Sequence, residues 1–190
     1  MPFSRTQNLG IKMTHLQHAY IFDIDGVLAD CSHRLHFIQQ EPKDWKRFYE
    51  NSDKDAPIKA NVELLHRLYK DYQVEIMFVT GRTEAYRAIT SDWLRKEVLE
   101  TQPLTTCSTM MGCDLAMELQ EEEIKKTLEQ RLFMRKNGDF RPDWEVKKEI
   151  YENEIKCQYE ILGIFEDRTQ VVQMWRSLGL TCYQVCEGNY

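Results

Sequence analysis

Short apolar runs alternate with segments of helical periodicity along most of the chain. Each of the four apolar runs ends in polar or charged residues, which is typical of buried strands that close in turns. Between the runs, apolar residues recur at spacings of three and four, as they do on one face of a helix. The predicted strands are Tyr20–Ile24, Glu75–Thr80, Ile161–Asp167 and Thr181–Cys186, and the predicted helices are Asn61–Lys70, Thr83–Leu99, Trp144–Tyr159 and Thr169–Leu178.

The alternation of strands with helices predicts an α/β fold, in which a central parallel sheet is covered by helices on both faces. In such sheets, ligands bind just beyond the carboxyl ends of the strands. Three of the predicted strands end in short polar sequences, so we expect these sequences to meet in one site. They are Asp23 with Asp25, Thr80-Gly81-Arg82, and Glu166-Asp167-Arg168.

Two segments interrupt this alternation. Residues 31–60 are polar and aromatic, and they are predicted to form a small helical cap. Residues 101–142 contain a highly charged stretch, which predicts a solvated helix within an insertion. Residues 1–18 lack the apolar core of a signal peptide and are expected to be a loosely ordered leader, so residues 19–190 form the single predicted domain.

The overall composition narrows the possible functions. The chain has 190 residues, enough for one domain with a sizeable core, and no apolar run approaches the roughly 20 residues that span a bilayer. Its six cysteines include no CxxC pair and follow no signal sequence, so a structural zinc site is not expected and the predicted location is cytoplasmic. With a net charge of −6, the chain does not attract nucleic acids in general, and a polynucleotide would have to bind locally, at an end.

Asp23 and Asp25 stand at the end of an apolar strand, next to Gly26. Two carboxylates so close together repel each other unless a cation or a phosphate group binds there. Asp23 is the first acid after the strand, and a carboxylate in this position can attack a phosphoryl group to form an acyl phosphate. Asp25 lies two residues further on and can donate a proton to the leaving alkoxide and then accept one from water. Gly26 lets the chain turn sharply after the two acids.

The expected cation is Mg²⁺, which prefers oxygen ligands and binds through a few carboxylates together with substrate phosphate. Asp167 is the best further ligand, with Glu166 beside it, so the predicted metal residues are Asp23, Asp25, Glu166 and Asp167. A metal ion there neutralises phosphate charge and aligns the attacking group.

The remaining predicted site residues bind the phosphate group. The hydroxyl of Thr80 and the backbone N–H groups of Gly81 and Arg82 are expected to face its non-bridging oxygens. Either Lys147 or Lys148 supplies a fixed positive charge where negative charge builds up in the transition state. Each of these motifs alone is common in turns, helix starts or exposed ion pairs, and it is their order and shared position at strand ends that indicates catalysis.

Four motifs in this order resemble those of the haloacid dehalogenase (HAD) superfamily of phosphatases. They are FDIDG at Phe22–Gly26, VTGR at Val79–Arg82, VKKE at Val146–Glu149 and FEDR at Phe165–Arg168. The sequences RPDWEVKKEI and FEDRTQVVQMWRSLGLTCYQVCEGNY are also similar to the 3′-phosphatase domain of phage polynucleotide kinase, which acts in nucleic-acid repair. No GxxxxGK[ST] sequence occurs, so a P-loop kinase is not expected alongside it.

This resemblance implies a Rossmann-like sheet and the Mg²⁺-dependent removal of phosphate through an aspartyl-phosphate. It implies that Asp23 is the nucleophile and that Thr80 binds phosphate. Asp25 would be the general acid and base, and its backbone carbonyl would also contact the metal.

The resemblance also assigns roles in the third and fourth motifs. Lys147 aligns best with the motif lysine, with Lys148 as the alternative, while Asp167 contacts Mg²⁺ directly and Glu166 contacts it through water. The chain departs from the family pattern in two places. Glu166 stands where the family usually has aspartate, and a helical insertion of about 25 residues precedes Arg131.

A group of basic and aromatic residues follows the charged helix within residues 101–142. Such a mixture suits a short single-stranded nucleic-acid end. The same sequence also fits an edge strand with charged flanks, and both interpretations stay open. The residues are Arg131, Phe133, Arg135, Lys136, Phe140 and Arg141.

The sequence therefore predicts a hydrolase that removes phosphate from the 3′ end of a nucleic acid. One alternative is a 5′(3′)-nucleotidase that acts on free nucleoside monophosphates. A second is a non-catalytic module that binds phosphate or docks a partner, and a third is a phosphotransferase with an acceptor other than water.

Overall fold

The computed structural model describes residues 16–69, 74–100 and 113–188, with residues 113–120 and 123 described by their backbone alone. Most of the predicted leader and residues 101–112 of the predicted insertion lie outside these ranges. The described residues form seven strands. They are β1 (Gln17–Phe22), β2 (Ala29–Asp30), β3 (Ala56–Pro57), β4 (Val74–Thr83), β5 (Leu132–Arg135), β6 (Tyr159–Arg168) and β7 (Cys182–Gly188).

Five of these strands form one parallel sheet in the order β5-β4-β1-β6-β7, and β2 pairs with β3 in a short antiparallel ribbon. Helices pack on both faces of the sheet, which confirms the predicted α/β class. The α-helices are α1 (His36–Gln39), α2 (Trp45–Glu50), α3 (Lys59–Tyr69), α4 (Arg87–Trp93), α5 (Cys113–Arg131), α6 (Asp143–Ile150) and α7 (Thr169–Ser177). Shorter turns are 3₁₀ at Ser32–Arg34, Ser52–Lys54 and Glu84–Tyr86, and π-helical at Leu94–Leu99 and Tyr151–Ile155.

The core has two layers because successive strand residues point to opposite faces of the sheet. On β1, Ala19 and Ile21 belong to the cluster that packs against α7. Phe22 belongs to the other cluster, which packs against α3, α4 and α5. Its ring stacks on that of Phe165 in β6, with 4.4 Å between the ring centres. Each fully buried apolar side chain of this kind contributes about 1.5–3 kcal/mol, so β1 is held firmly in the middle of the sheet.

Strand β5 lies inside the segment that was predicted to be an insertion. Leu132 and Met134 are buried, and the strand pairs with β4 at the edge of the sheet. This pairing reaches Thr83, so β4 continues past its predicted end at Thr80 and ends where the helix was predicted to start. Four residues with charged neighbours give too short a pattern to identify a strand from sequence alone.

The predicted cap segment contains short helical elements, and its role as a cap stays a prediction. It contains α1 and α2, and Cys31, Ile38 and Phe48 form a separate apolar cluster within it. The predicted domain began at residue 19, whereas β1 begins at Gln17. No helix among residues 16–69, 74–100 and 113–188 is both long and apolar enough to cross a membrane.

Candidate active site

The carboxyl ends of three neighbouring strands bring the predicted site residues together. Because β1 lies between β4 and β6, residues at the ends of these strands share one edge of the sheet. The N–H of Asp23 donates to the carbonyl of Phe165 at 3.0 Å, which extends the sheet pairing to the first acid. Asp23, Thr80, Glu166 and Asp167 are all buried at this edge.

Three of these residues form a cluster of carboxylates. Asp23, Glu166 and Asp167 each place an oxygen within 4.8 Å of the other two. Oδ1 of Asp23 is buried and has no hydrogen-bond partner among the described residues. Buried carboxylates so close together repel each other, and a buried oxygen without a partner is unfavourable by about 1–3 kcal/mol. The cluster therefore has the character of a cation site.

Lys147 on α6 supplies positive charge inside this cluster. Its side chain is fully buried, and its Nζ lies 2.8 Å from both Asp23 Oδ2 and Glu166 Oε2. The other oxygen of Glu166 accepts the backbone N–H groups of Asp167 at 3.1 Å and Arg168 at 3.3 Å. The longer glutamate side chain thus reaches the lysine while it also binds the end of its own strand.

Burial shifts the acid–base properties of these groups. It raises the pKa of Asp23 well above the ordinary value, and the Glu166 carboxylate raises it further against the opposing effect of Lys147. Burial likewise raises the pKa of Glu166. Burial alone would lower the pKa of Lys147, but the carboxylates of Asp143, Asp23 and Glu166 outweigh it, so the net pKa is raised. The raised pKa favours the charged form of the lysine, and a cation bound among the acids would favour their ionised forms.

The donor set fits a hard divalent cation such as Mg²⁺, which binds oxygen ligands. The residues that would hold it are Asp23, Glu166 and Asp167. The carboxylate of Asp25 does not belong to this cluster. The predicted contact of Asp25 with the metal, through its backbone carbonyl, stays a prediction.

The Asp25 carboxylate is held by two buried arginines. Arg82 Nη2 donates to Asp25 Oδ1 at 2.6 Å, and Arg34 Nη2 donates to the same oxygen at 2.5 Å. Burial raises the pKa of Asp25, but Arg82 and then Arg34 outweigh it and hold the pKa well below its usual range. In this state the carboxyl is ionised and binds a proton weakly, so it needs a change in its surroundings before it can act as an acid.

Arg34 and Asp55 were not identified from the sequence. Asp55 is fully buried, and its carboxylate accepts Arg34 Nε at 2.7 Å and Arg82 Nη2 at 3.0 Å. Trp93 Nε1 donates to the backbone carbonyl of Asp55 at 2.8 Å. We call Asp25, Arg34, Asp55 and Arg82 the arginine–aspartate cluster. No spacing rule connects residues 25, 34, 55 and 82, so the fold alone brings them together.

Asp143 is another site residue that the sequence analysis missed. Its Oδ2 lies 3.4 Å from Lys147 Nζ and 3.6 Å from Arg168 Nη1. Arg135 on β5 donates to Asp143 Oδ1 at 3.2 Å and to the carbonyl of Gly81 at 3.0 Å. A Cβ atom on Gly81 would lie 2.4 Å from Asp143 Oδ1, so this glycine permits the close approach. The signal that could have revealed Asp143 is its position one helical turn before Lys147.

The other predicted phosphate-binding residues lie in different surroundings. Thr80 and Gly81 line the cleft beside the acids. The N–H of Arg82 is directed at Thr80 Oγ1, 3.3 Å away, while its side chain belongs to the arginine–aspartate cluster. Lys148 lines a separate groove with Trp144. The geometry therefore favours Lys147 as the charged residue of the site, and substrate binding by Lys148 stays a prediction.

A narrow cleft lies beside the acids. Its volume is about 50 Å³. Asp23, Asp25 and Thr80 line it from the strand ends, and aromatic residues of α2 line another side. The cap segment thus borders the cleft without closing it.

The basic and aromatic residues at the end of the predicted insertion do not form one patch. Arg131 pairs with Glu75 at 2.6 Å. Phe133 packs against the core, and Arg135 points to the active site. Phe140, by contrast, is 95% exposed. The structure supports the edge-strand interpretation of this segment, and its contact with nucleic acid stays a prediction.

Replacing Gly188 with alanine is expected to weaken metal binding. Gly188 ends β7, and a Cβ atom there would lie 2.0 Å from Asp167 Oδ2 and 3.3 Å from the Asp167 backbone carbon. The carboxylate must move away, so we expect the Mg²⁺ concentration for half-maximal activity to rise by about tenfold or more. A Mg²⁺ titration of initial rates measures this.

Gly179→Ala is the matched control for Gly188→Ala. Gly179 has φ +80° and open space around its Cβ position, so alanine there destabilises the fold by about 1–2 kcal/mol without touching the site. The half-saturating Mg²⁺ concentration should be unchanged in this control. Equal metal dependence in both variants would show that Gly188 does not position Asp167.

Comparisons with known proteins identify the family of this chain. A family model of the phosphatase domain of polynucleotide kinase PNKP matches residues 17–128 and 107–190. The chain is 24% identical over 172 residues to a protein of Autographa californica nuclear polyhedrosis virus named "Putative bifunctional polynucleotide kinase/RNA ligase". That alignment covers 88% of this chain and 19% of the viral protein.

Solved structures give the same fold. A chain of the Pnkp1/Rnl/Hen1 complex superposes with a TM-score of 0.63 and 26% identity, over 93% of this chain and 48% of the other. The class C acid phosphatase from Bacillus anthracis, with tungstate bound, superposes with a TM-score of 0.53 and 12% identity, over 92% and 69% of the two chains. The second similarity concerns the fold alone. The chain thus spans about a fifth of the viral relative and about half of the Pnkp1/Rnl/Hen1 chain.

The family match extends from β1 to the end of the chain and includes all four strand-end and helix motifs. This chain therefore belongs to the family of polynucleotide kinase phosphatase domains, and it is a phosphatase of the HAD type.

Proposed function

We propose that this chain is a Mg²⁺-dependent phosphomonoesterase that removes 3′-phosphate from nucleic-acid ends through an aspartyl-phosphate. The observation that carries the proposal is the state of Asp23. Its Oδ2 is paired with Lys147 at 2.8 Å, while its buried Oδ1 has no hydrogen-bond partner in the described part of the chain. A carboxylate fixed through one oxygen can present the other as a nucleophile.

The surrounding residues bind the metal ion and the phosphate group and stabilise the charge that develops. Asp23, Glu166 and Asp167 would hold Mg²⁺, which when bound supplies positive charge to the non-bridging phosphate oxygens. The Thr80 hydroxyl binds one of these oxygens at the cleft wall. The Lys147 ammonium stays fixed beside Asp23 and balances charge that develops during the transfer.

The reaction has two steps. In the first, an Asp23 oxygen attacks phosphorus, and the bond between phosphorus and O3′ breaks while Asp25 donates a proton to the leaving oxygen. In the second, Asp25 takes a proton from water as the water oxygen attacks phosphorus. The bond between Asp23 and phosphorus then breaks, which releases inorganic phosphate and restores the carboxylate.

Asp25 must be protonated for the first step, although two arginines hold it ionised in the free protein. A substrate phosphate dianion in the cleft adds negative charge close to Asp25. This charge raises the pKa of the carboxyl and draws the two arginine charges toward the phosphate. Substrate binding therefore prepares the acid for its role.

Two observations support a polynucleotide end as the substrate. The names of the similar proteins refer to polynucleotide kinase, RNA ligase and an RNA repair complex. Aromatic side chains border the cleft, and such side chains can stack on the bases of a strand end.

The test compares three substrates with Mg²⁺ and with EDTA. These are a 3′-phosphorylated oligonucleotide, a nucleoside 3′-monophosphate and a nucleoside 5′-monophosphate. We expect the highest kcat/KM on the oligonucleotide and no turnover with EDTA. Preference for the free 5′-monophosphate would show that the protein is a nucleotidase and does not act on nucleic-acid ends. Transfer of phosphate to an added nucleoside would identify a phosphotransferase, and phosphate binding without turnover would identify a binding module.

A further inference from the structure

We propose that Trp45 forms a stacking platform for the base of the terminal nucleotide, so that the site prefers 3′ ends that carry a base. This inference rests on the proposed function and assigns a specificity-determining residue to the same site. It predicts that the enzyme recognises the nucleobase beside the phosphate as well as the phosphate itself.

Trp45 lies where a nucleotide leaving the acids would pass. It lines the catalytic cleft and also a neighbouring surface groove formed by residues 40–46. Although it is a large apolar side chain, 43% of its surface is exposed. The separate apolar cluster of the cap, Cys31, Ile38 and Phe48, does not include it. Packing within the cap therefore leaves a large part of the indole exposed.

The indole is held in a fixed orientation relative to the phosphate-binding strand end. Its ring stacks on Tyr49 with 5.9 Å between centres and an angle of 24°, and it meets Phe48 edge-on at 5.8 Å. Tyr49 packs in turn on Tyr86 at 5.1 Å and donates its hydroxyl to the Gly81 carbonyl at 3.4 Å. A rigid aromatic surface of this kind binds a planar base with little loss of side-chain freedom.

Positive charge lies beside the platform. Lys43 Nζ lies over the Trp45 ring, 5.7 Å from its centre, and this exposed side chain must move aside when a base stacks there. Lys43 and Lys46 line the groove of residues 40–46 together with Glu41 and Asp44. Aromatic faces for bases next to cations for the backbone are the combination that binds single-stranded ends without sequence preference. A sugar phosphate or a phosphorylated peptide lacks the planar base that this surface fits.

The experiment uses two oligonucleotides that differ in one group. Both carry a 3′-phosphate, but in one of them the terminal nucleotide lacks its base. We expect the unmodified protein to hydrolyse the base-bearing end with a kcat/KM higher by at least about fivefold. Trp45→Ala should lose that preference, with a fall of about five- to 100-fold on the base-bearing end and less than about twofold on the abasic end.

Trp144→Ala is the matched control. Trp144 is an exposed tryptophan at the start of α6 and lines a different groove, so its loss should leave the preference unchanged. Trp45→Leu keeps apolar bulk on α2 without an aromatic face and should behave like Trp45→Ala. It also provides the measurement if the alanine variant does not fold.

The outcomes separate this inference from the proposed function. If Trp45→Ala and Trp45→Leu slow both substrates equally, or neither, the stacking platform is wrong while the phosphatase assignment stands. If the unmodified protein hydrolyses neither oligonucleotide, the proposed function fails, and the platform fails with it. Loss of preference in the two Trp45 variants, with preference kept in Trp144→Ala, supports both.

Discussion

Asp23→Asn is expected to reduce phosphatase turnover by about 1000-fold or more, because an amide cannot form the acyl phosphate. The fold should survive. Asparagine has the same shape, and the substitution removes a buried carboxyl whose pKa burial already raises. Turnover of a 3′-phosphorylated oligonucleotide and a thermal melt of the same sample measure the two effects separately.

Asp92→Asn is the control for this substitution, since the Asp92 side chain is 67% exposed on α4 and lies outside the site. Its activity should match that of the unmodified protein. A second measurement tests the intermediate directly. Acid quenching of the unmodified protein during turnover, followed by peptide mass spectrometry, should find a phosphoryl group on Asp23. Substantial activity in Asp23→Asn with an unchanged melt would remove Asp23 from the nucleophile role.

Asp55→Asn is expected to lower the free energy of unfolding by about 3–5 kcal/mol. The buried carboxylate of Asp55 binds both Arg34 and Arg82, so its loss leaves two buried guanidinium groups with Asp25 as the remaining acid of the arginine–aspartate cluster. Turnover should fall as well, since the same arginines hold the general acid. Urea unfolding, with a check that the slope is unchanged, measures the stability effect.

Asp53→Asn provides the comparison, because Asp53 is an exposed aspartate in the same turn of the cap segment. The free energy of unfolding from its urea curve should stay within about 0.5 kcal/mol of that of the unmodified protein. The double variant Arg34→Met with Asp55→Asn should lose less than the sum of the two single variants, because the partners form one network. Equal midpoints for Asp53→Asn and Asp55→Asn would show that the buried ion pairs do not stabilise the cap.

The sequence predicted the strands and motifs that depend on short local patterns. The apolar runs of β1, β4, β6 and β7 and the motifs at their ends were recognisable, because each depends on a few consecutive residues. From their shared position at strand ends it also followed that Asp23, Thr80, Glu166 and Asp167 would meet.

The residues that escaped prediction depend on tertiary contacts. Arg34 and Asp55 lie in an irregular polar segment, and their partners are distant along the chain. Asp143 was hidden among exposed charges near the start of a helix, although it is itself buried. The sequence left strand β5 as one of two interpretations, because its four residues become a strand through pairing with β4. In each case the deciding information is a contact between distant segments.

The arginine–aspartate cluster has a consequence for how the cap moves. Arg34 and Asp55 come from the cap segment, whereas Asp25 and Arg82 come from the strand ends. Their side chains interlock, and those of Arg34, Asp55 and Arg82 are fully buried. A hinged lid could not swing open without separating these charges. We therefore expect the cap segment to stay in place while substrate enters and product leaves, with no opening and closing motion in each catalytic cycle.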